Sequence, residues 1–174
     1  MRLLPGCLIA LMIFVAGCDV APPATRSPSE RLEDVGALEA LFPDFEEMRL
    51  EAYRHDEHCA YIVYRRGAFS TAPDGSSCNV FTNKPTGFDV QAHADYDGLT
   101  RALSTAHVTV VSVGELIYST PGRLNAATFD FGTNSFVGQS YVFDVRGNYN
   151  QSEEGGAVYT TINNGWYMVV DPSR

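Results

Sequence analysis

Two histidines stand in the densest group of potential metal ligands. They are His55 and His58, which enclose Asp56 and Glu57. On a helix, histidines at this spacing share one face and could bind zinc together with a carboxylate. The helix dipole also favours histidines at a helix end, and the sequence supplies no distant partner motif. The sequence therefore predicts a solvated helix end without a metal or other cofactor, and it leaves metal binding by His55 and His58 open.

A pair of carboxylates is the second candidate. Asp130 and Asp144 fall on the polar face of adjacent predicted strands, and paired carboxylates perform acid and base catalysis in glycosidases. A turn at Thr133 and Asn134 would pair Asp130 with Val137, which places the two carboxylates far apart. Ordinary surface ion pairs are the interpretation that this spacing favours.

Known active-site motifs are absent from the sequence. It has no G-x-S-x-G, no P-loop, no H-E-x-x-H and no G-x-G-x-x-G. The net charge is −9, from 21 acidic and 12 basic residues, which disfavours a phosphate-binding surface. The sequence therefore predicts a protein that is not an enzyme and does not bind nucleic acid.

The N-terminal segment has the features of an export signal. Arg2 precedes an apolar run from Leu8 to Val15, and small residues lead to Cys18. The run is too short for a permanent span, which takes about 20 residues. Val15-Ala16-Gly17-Cys18 resembles the lipobox of bacterial lipoprotein precursors.

That resemblance implies a cleaved signal peptide over residues 1–17 and a lipid on Cys18. The body would then face the periplasm, anchored to the inner or outer membrane of a bacterial envelope. Two or more acyl chains hold a protein stably to a bilayer. An ordinary secretory signal followed by a chance cysteine is the alternative.

Cys59 and Cys78 are the cysteines that remain in the mature body. Export delivers both to an oxidising compartment, where an even pair most simply forms a disulfide. Closing a loop of this size stabilises a fold by about 3 kcal/mol in the chain-entropy model. A redox or metal-binding pair would lack the usual C-x-x-C spacing.

The mature chain divides into a tether and one domain. Residues 18–30 are rich in Pro, Ser and Ala and predict a lipidated tether, and residues 31–174 predict a single globular domain. Ser27, Pro28 and Glu30 have the residue types of a helix capping box with the preferred proline. A first helix is expected to begin there.

Apolar spacing changes from helical to strand-like after Glu57. A second helix is expected from Asp44 to about Arg54, and a third between Asp89 and Ala106. After His107 the pattern predicts strands with tight turns. The predicted class is α+β, with N-terminal helices packed on an antiparallel β-meander. This order of elements resembles the cup-shaped fold of nuclear-transport-factor-2-like domains.

These features predict an envelope lipoprotein with a non-catalytic binding or structural role. Its partners would be the membrane, through the anchor, and either an envelope protein or a small ligand in the concave side of the sheet. An acidic inhibitor or immunity protein against a basic envelope-targeting enzyme is one alternative, because a negative body steers a cationic partner. A cup-shaped domain that binds a small ligand or carries an active site is another.

We expect the change Cys18→Ala to release the protein from the membrane fraction, because the acyl chains could no longer be attached. Fractionation of cells that express each form, followed by mass spectrometry of the N-terminus, measures this. A variant that remains in the membrane fraction would rule out the anchor.

Overall fold

A computed structural model describes residues 23–57, 59–71, 78, 86–105, 109–131, 138–147 and 156–172. This part of the chain is mixed α and β, as predicted, with one short 3-10 helix, three α-helices and eight strands in one antiparallel sheet. None of these helices is long and apolar enough to cross a membrane. The elements are the 3-10 helix Pro23–Thr25, α1 (Pro28–Glu39), α2 (Phe42–Met48), β1 (Ala52–His55), β2 (Ala60–Tyr64), β3 (Gly67–Thr71), α3 (Val90–Leu103), β4 (Val110–Tyr118), β5 (Leu124–Phe131), β6 (Gly138–Asp144), β7 (Val158–Asn163) and β8 (Trp166–Asp171).

The predicted arrangement of N-terminal helices packed on an antiparallel β-meander places the helices wrongly. Three strands come before α3, and the strand order is β3-β2-β1-β4-β5-β6-β8-β7. β4 returns from α3 to pair with β1 rather than with β3. The sheet is therefore built from an N-terminal meander and a C-terminal group of strands, joined at β1 and β4.

The start of α1 confirms the predicted capping box. Ser27 Oγ accepts a hydrogen bond from the backbone N–H of Glu30, and Glu30 Oε2 accepts one from the backbone N–H of Ser27. Pro28 takes the first helical position, where its missing N–H costs nothing. Pro23–Thr25 precede this cap and contact β6 and β8. Part of the segment predicted as a tether thus lies against the body.

The second helix is shorter than predicted. It ends at Met48, because Arg49 adopts a left-handed conformation with φ of 55° and closes the last turn. Residues 52–55, which were predicted as helix, form β1 instead. Its alternating burial suits a strand, with Tyr53 buried and Arg54 half-buried.

One face of the sheet carries the main hydrophobic core. Side chains from all three helices and from seven strands form a single buried cluster. At its centre Trp166 lies between Phe129 and Phe143, with ring centroids 5.7 and 5.2 Å away. Large aromatic side chains contribute strongly to core stability, so this face fixes how the helices sit on the sheet.

A buried carboxylate connects α1 to this core. Asp34 is fully buried, and its Oδ2 accepts a hydrogen bond of 2.9 Å from the hydroxyl of Tyr141 on β6. Arg26 forms an ion pair with the same carboxylate. Burial, followed by the hydrogen bond to Asp34, raises the pKa of Tyr141. The hydroxyl therefore stays protonated and remains a donor at neutral pH.

The predicted disulfide between Cys59 and Cys78 is confirmed, with Cα atoms 5.7 Å apart. The two cysteines and Tyr61 form a second, smaller buried cluster, against which Ala52 and Val63 pack. The register of β1 and β2 places this cluster on the face of the sheet opposite the helices.

We expect Asp34→Ala to lower the free energy of unfolding by about 3 to 5 kcal/mol, because it leaves the Arg26 charge buried without its partner. Urea unfolding measures this. Glu33→Ala changes the exposed neighbour on the same helix and should cost no more than about 0.5 kcal/mol. Equal effects of the two substitutions would contradict a structural role for the buried carboxylate.

We also expect stability to fall as the pH rises above about 10. Burial raises the pKa of a set of tyrosines, so the unfolded chain loses their protons at a lower pH than the folded chain does. The folded state is then penalised progressively above the ordinary tyrosine pKa of 10.0. Thermal melts between pH 8 and pH 11 test this, and an unchanged midpoint would contradict it. The tyrosines are Tyr53, Tyr61, Tyr64, Tyr96, Tyr118 and Tyr141.

Candidate functional site

The face of the sheet opposite the helices carries a row of mostly polar side chains. Directly opposite residues in antiparallel strands point to the same side of a sheet. Following the register from β2 to β7 therefore identifies neighbours that share this face. They are, in order, Tyr61, Arg54, Ser112, Asp130, Ser140, Val169 and Tyr159.

This face is concave. Arg54 on β1 and Tyr159 on β7 line the same cavity of about 330 Å³. The two strands are five strand positions apart, which would put them about 24 Å apart in a flat sheet. One cavity therefore extends across this face from β1 to β7. We call it the sheet cavity; the described residues that line it are Arg54, Val111, Ser112, Glu115, Thr128, Asp130, Phe131, Gly138, Gln139, Ser140, Val142, Ala157, Tyr159, Val169 and Asp171.

Asp130 lies at the middle of the row and is held by its neighbours on both sides. Ser112 Oγ donates a hydrogen bond of 2.7 Å to Oδ2, and Ser140 Oγ donates one of 2.7 Å to Oδ1. Hydrogen bonds to an ionised acceptor are stronger than those between neutral groups. The carboxylate is therefore fixed in orientation at the wall of the cavity.

Glu115 contributes a second carboxylate next to the first. Its Oε2 accepts a hydrogen bond of 2.7 Å from Thr128 Oγ1. The backbone of Glu115 has φ of 52°, and the pairing of β4 with β5 shifts register between Gly114 and Ile117. This bulge bends β4, as bulges do, and brings the Glu115 side chain to the cavity.

The part of the sheet cavity that the structure describes has an excess of negative charge. Its acidic lining residues are Glu115, Asp130 and Asp171, and its one cation is Arg54, which forms an ion pair with Asp56. Among the described lining residues there is no histidine and no cysteine. The arrangement offers fixed acceptors and hydroxyl groups, which suit the recognition of a small polar or cationic group.

His55 does not lie at the predicted helix end. It lies at the end of β1, where its Nδ1 forms a hydrogen bond of 2.7 Å with the hydroxyl of Tyr96 on α3. His58 and Cys18 lie outside the described residues. Within the described ranges, no group of three or more His, Cys, Asp or Glu could hold a metal ion.

The two aspartates have partners other than those predicted. Asp130 pairs with Ser140, and Asp144 pairs with Ala126, because the connection from β5 to β6 is longer than the assumed two-residue turn. Asp144 is only 5% exposed, and its Oδ1 accepts a hydrogen bond of 2.9 Å from the backbone N–H of Arg146. They are four residues out of register, and neither is a free surface charge.

Sequence reasoning placed Asp130 on the polar face but missed the cavity around it. Ser112, Ser140 and Tyr159 belong to separate strands, and only the register of the folded sheet aligns them. No motif in the sequence could have signalled the row, because each member is an ordinary strand residue.

Comparison with protein-family models, curated proteins and solved structures gives no match to this chain. Its fold and site alone define the class: a mixed α and β domain whose helices cover one face of a curled antiparallel sheet, with a polar cavity on the other.

We expect Ser112→Ala and Ser140→Ala each to cost about 1 to 3 kcal/mol of stability, because each removes a hydrogen bond to a charged acceptor. Ser70 faces the same side of the sheet at the end of the row, so Ser70→Ala is the matched control and should be nearly neutral. Urea unfolding of the three variants measures the difference. Equal losses at all three serines would contradict the fixed orientation of Asp130.

Proposed function

We propose that this chain is a lipid-anchored protein of a bacterial cell envelope, and that its body binds a ligand in the concave face of the sheet. The observation that carries the binding role is the sheet cavity, which is lined by polar groups from six strands and in which two serines donate hydrogen bonds to Asp130. The role proposed is recognition, without a chemical step.

Two features support the envelope location. The lipobox-like residues Val15 to Cys18 follow an apolar run near Met1, and lipidation at that cysteine would anchor the body. Cys59 and Cys78 form a disulfide, and such bonds persist in oxidising compartments such as the periplasm.

The fixed polar groups of the sheet cavity support binding. The helix-covered face is filled by packed aromatic and aliphatic side chains, apart from a cavity of about 790 Å³ between α2, α3 and the end of β2. On the opposite face, Ser112, Asp130 and Ser140 are already hydrogen-bonded to one another. Groups held in place before binding reduce the entropic cost of association.

The binding role is tested with three probes of similar size: the N-acetyl amides of arginine, citrulline and glutamate. They carry a cation, a neutral group and an anion, respectively. Each probe is titrated into the full-length chain in detergent, and binding is monitored by NMR of the backbone amides. We expect at least one probe to shift the resonances of Ser112, Asp130 and Ser140 while leaving those of α3 unchanged. The absence of any such shift with all three would contradict the proposal.

The excess of acidic groups favours a second candidate, an inhibitor of a basic enzyme that attacks the envelope. The chain carries a net charge of −9, and the lining residues that the structure describes include three carboxylates and one guanidinium. Lysozyme is a suitable basic probe. Retention at low salt that disappears near 1 M salt, where the Debye length is about 3 Å, would support this candidate. Failure to retain lysozyme at low salt would count against it.

A further inference from the structure

We infer that the sheet cavity is a site for a guanidinium group, with the Asp130 carboxylate as its partner. This inference rests on the proposed binding role of the concave face and specifies the chemistry of its ligand. It depends on the acceptor positions of Asp130, on the walls of the cavity and on its charge.

The hydrogen bonds of Asp130 leave a matched pair of acceptor positions. Each carboxylate oxygen has two lone pairs. Ser112 occupies one on Oδ2 and Ser140 occupies one on Oδ1, so one acceptor position remains on each oxygen. A guanidinium group donates two parallel N–H bonds, one to each oxygen of a carboxylate. An ammonium group, as a point charge, would use this symmetry less well.

The walls beside Asp130 suit the rest of an arginine-like ligand. Val142 on β6 and Val169 on β8 lie on the same face of the sheet as Asp130. Apolar side chains of this kind pack against the methylene stem of an arginine-like ligand. The cavity of about 330 Å³ matches the lower end of typical ligand sites.

The guanidinium of the chain itself is engaged elsewhere. Arg54 lines the cavity, but its Nε lies against Asp56 at the end of β1. Ser112 separates Arg54 from Asp130 in the row. Among the described lining residues, Glu115 and Asp130 together carry more charge than Arg54, and this excess favours a cation from outside the chain.

The guanidinium could belong to a free small molecule or to an arginine side chain of a basic protein. Both present the same group to Asp130. A free compound would obtain all of its binding energy from contacts inside the cavity. A protein that inserts an arginine would also contact the surface around the cavity.

The test is a calorimetric titration of the full-length chain with the N-acetyl amides of arginine and citrulline. The two differ only in a guanidinium against a neutral urea. We expect the arginine amide to bind about tenfold more tightly or better, because a charge-assisted pair replaces a neutral contact. Asp130→Asn should abolish this preference. Asp97→Asn makes the same charge change on the exposed side of α3 and should leave it intact.

Competition with lysozyme distinguishes the two sources. If the arginine amide displaces lysozyme from the chain and the citrulline amide does not, the group comes from a protein side chain. If the arginine amide binds but lysozyme is not retained, the ligand is a free small molecule. Either result supports a guanidinium site.

Equal affinity for the arginine and citrulline amides would overturn the inference. An equal loss of the preference for the arginine amide in Asp130→Asn and Asp97→Asn would also overturn it. If Asp130→Asn does not fold, amide shifts of the unmodified chain decide instead, since the arginine amide must perturb Ser112, Asp130 and Ser140. Binding of only the citrulline or glutamate amide in the cavity would reject the guanidinium and leave the proposed function standing. If none of the probes binds, both fall.

Discussion

The constraint on which the fold and the site depend is the strict alternation of side chains along β5 and β6. Phe129 and Tyr141 must face the helices to be buried, and this requirement fixes the register of their strands. A slip by one residue would turn the aromatic side chains to solvent and the polar ones to the core. Asp130 and Ser140 therefore share the other face because their apolar neighbours cannot.

The ion pair of Arg26 and Asp34 shows how a polar contact is built into the apolar side of the same sheet. A buried charge is costly unless it is paired. Tyr141 reduces this cost because its hydroxyl donates to the carboxylate, and its ring packs edge-on against Phe131. One side chain of β6 thus serves both the aromatic core and the attachment of α1.

The sequence predicted several local features correctly. Most contacts between distant segments could not be predicted from it. The capping box at Ser27 and the third helix between Asp89 and Ala106 follow from residue type and short spacing, and both are present. The disulfide followed from the number of cysteines and the expected compartment. The predicted end of α2, at about Arg54, was wrong, because the residue type of Arg49 gives no indication of a left-handed conformation.

The site depends on relationships that spacing within a single segment does not determine. Asp130 acquires its two serine partners through the pairing of β4, β5 and β6, and the length of the connection between β5 and β6 was misjudged. The cavity is lined by residues of six strands and therefore depends on the whole sheet. The sequence predicted a polar face and a ligand in the concave side, but it did not identify the residues that line the cavity.

The early start of the folded body has a mechanical consequence for an anchored protein. If the proposed lipid is attached to Cys18, the chain from Cys18 to Pro23 spans at most about 18 Å. Ala24 donates a backbone hydrogen bond of 2.9 Å to Gln139 on β6, a strand flanked by β5 and β8. A pulling force from the bilayer would therefore act on an interior strand, which is hydrogen-bonded to a neighbour on each side. It would not act on an edge strand, which separates from a sheet more easily.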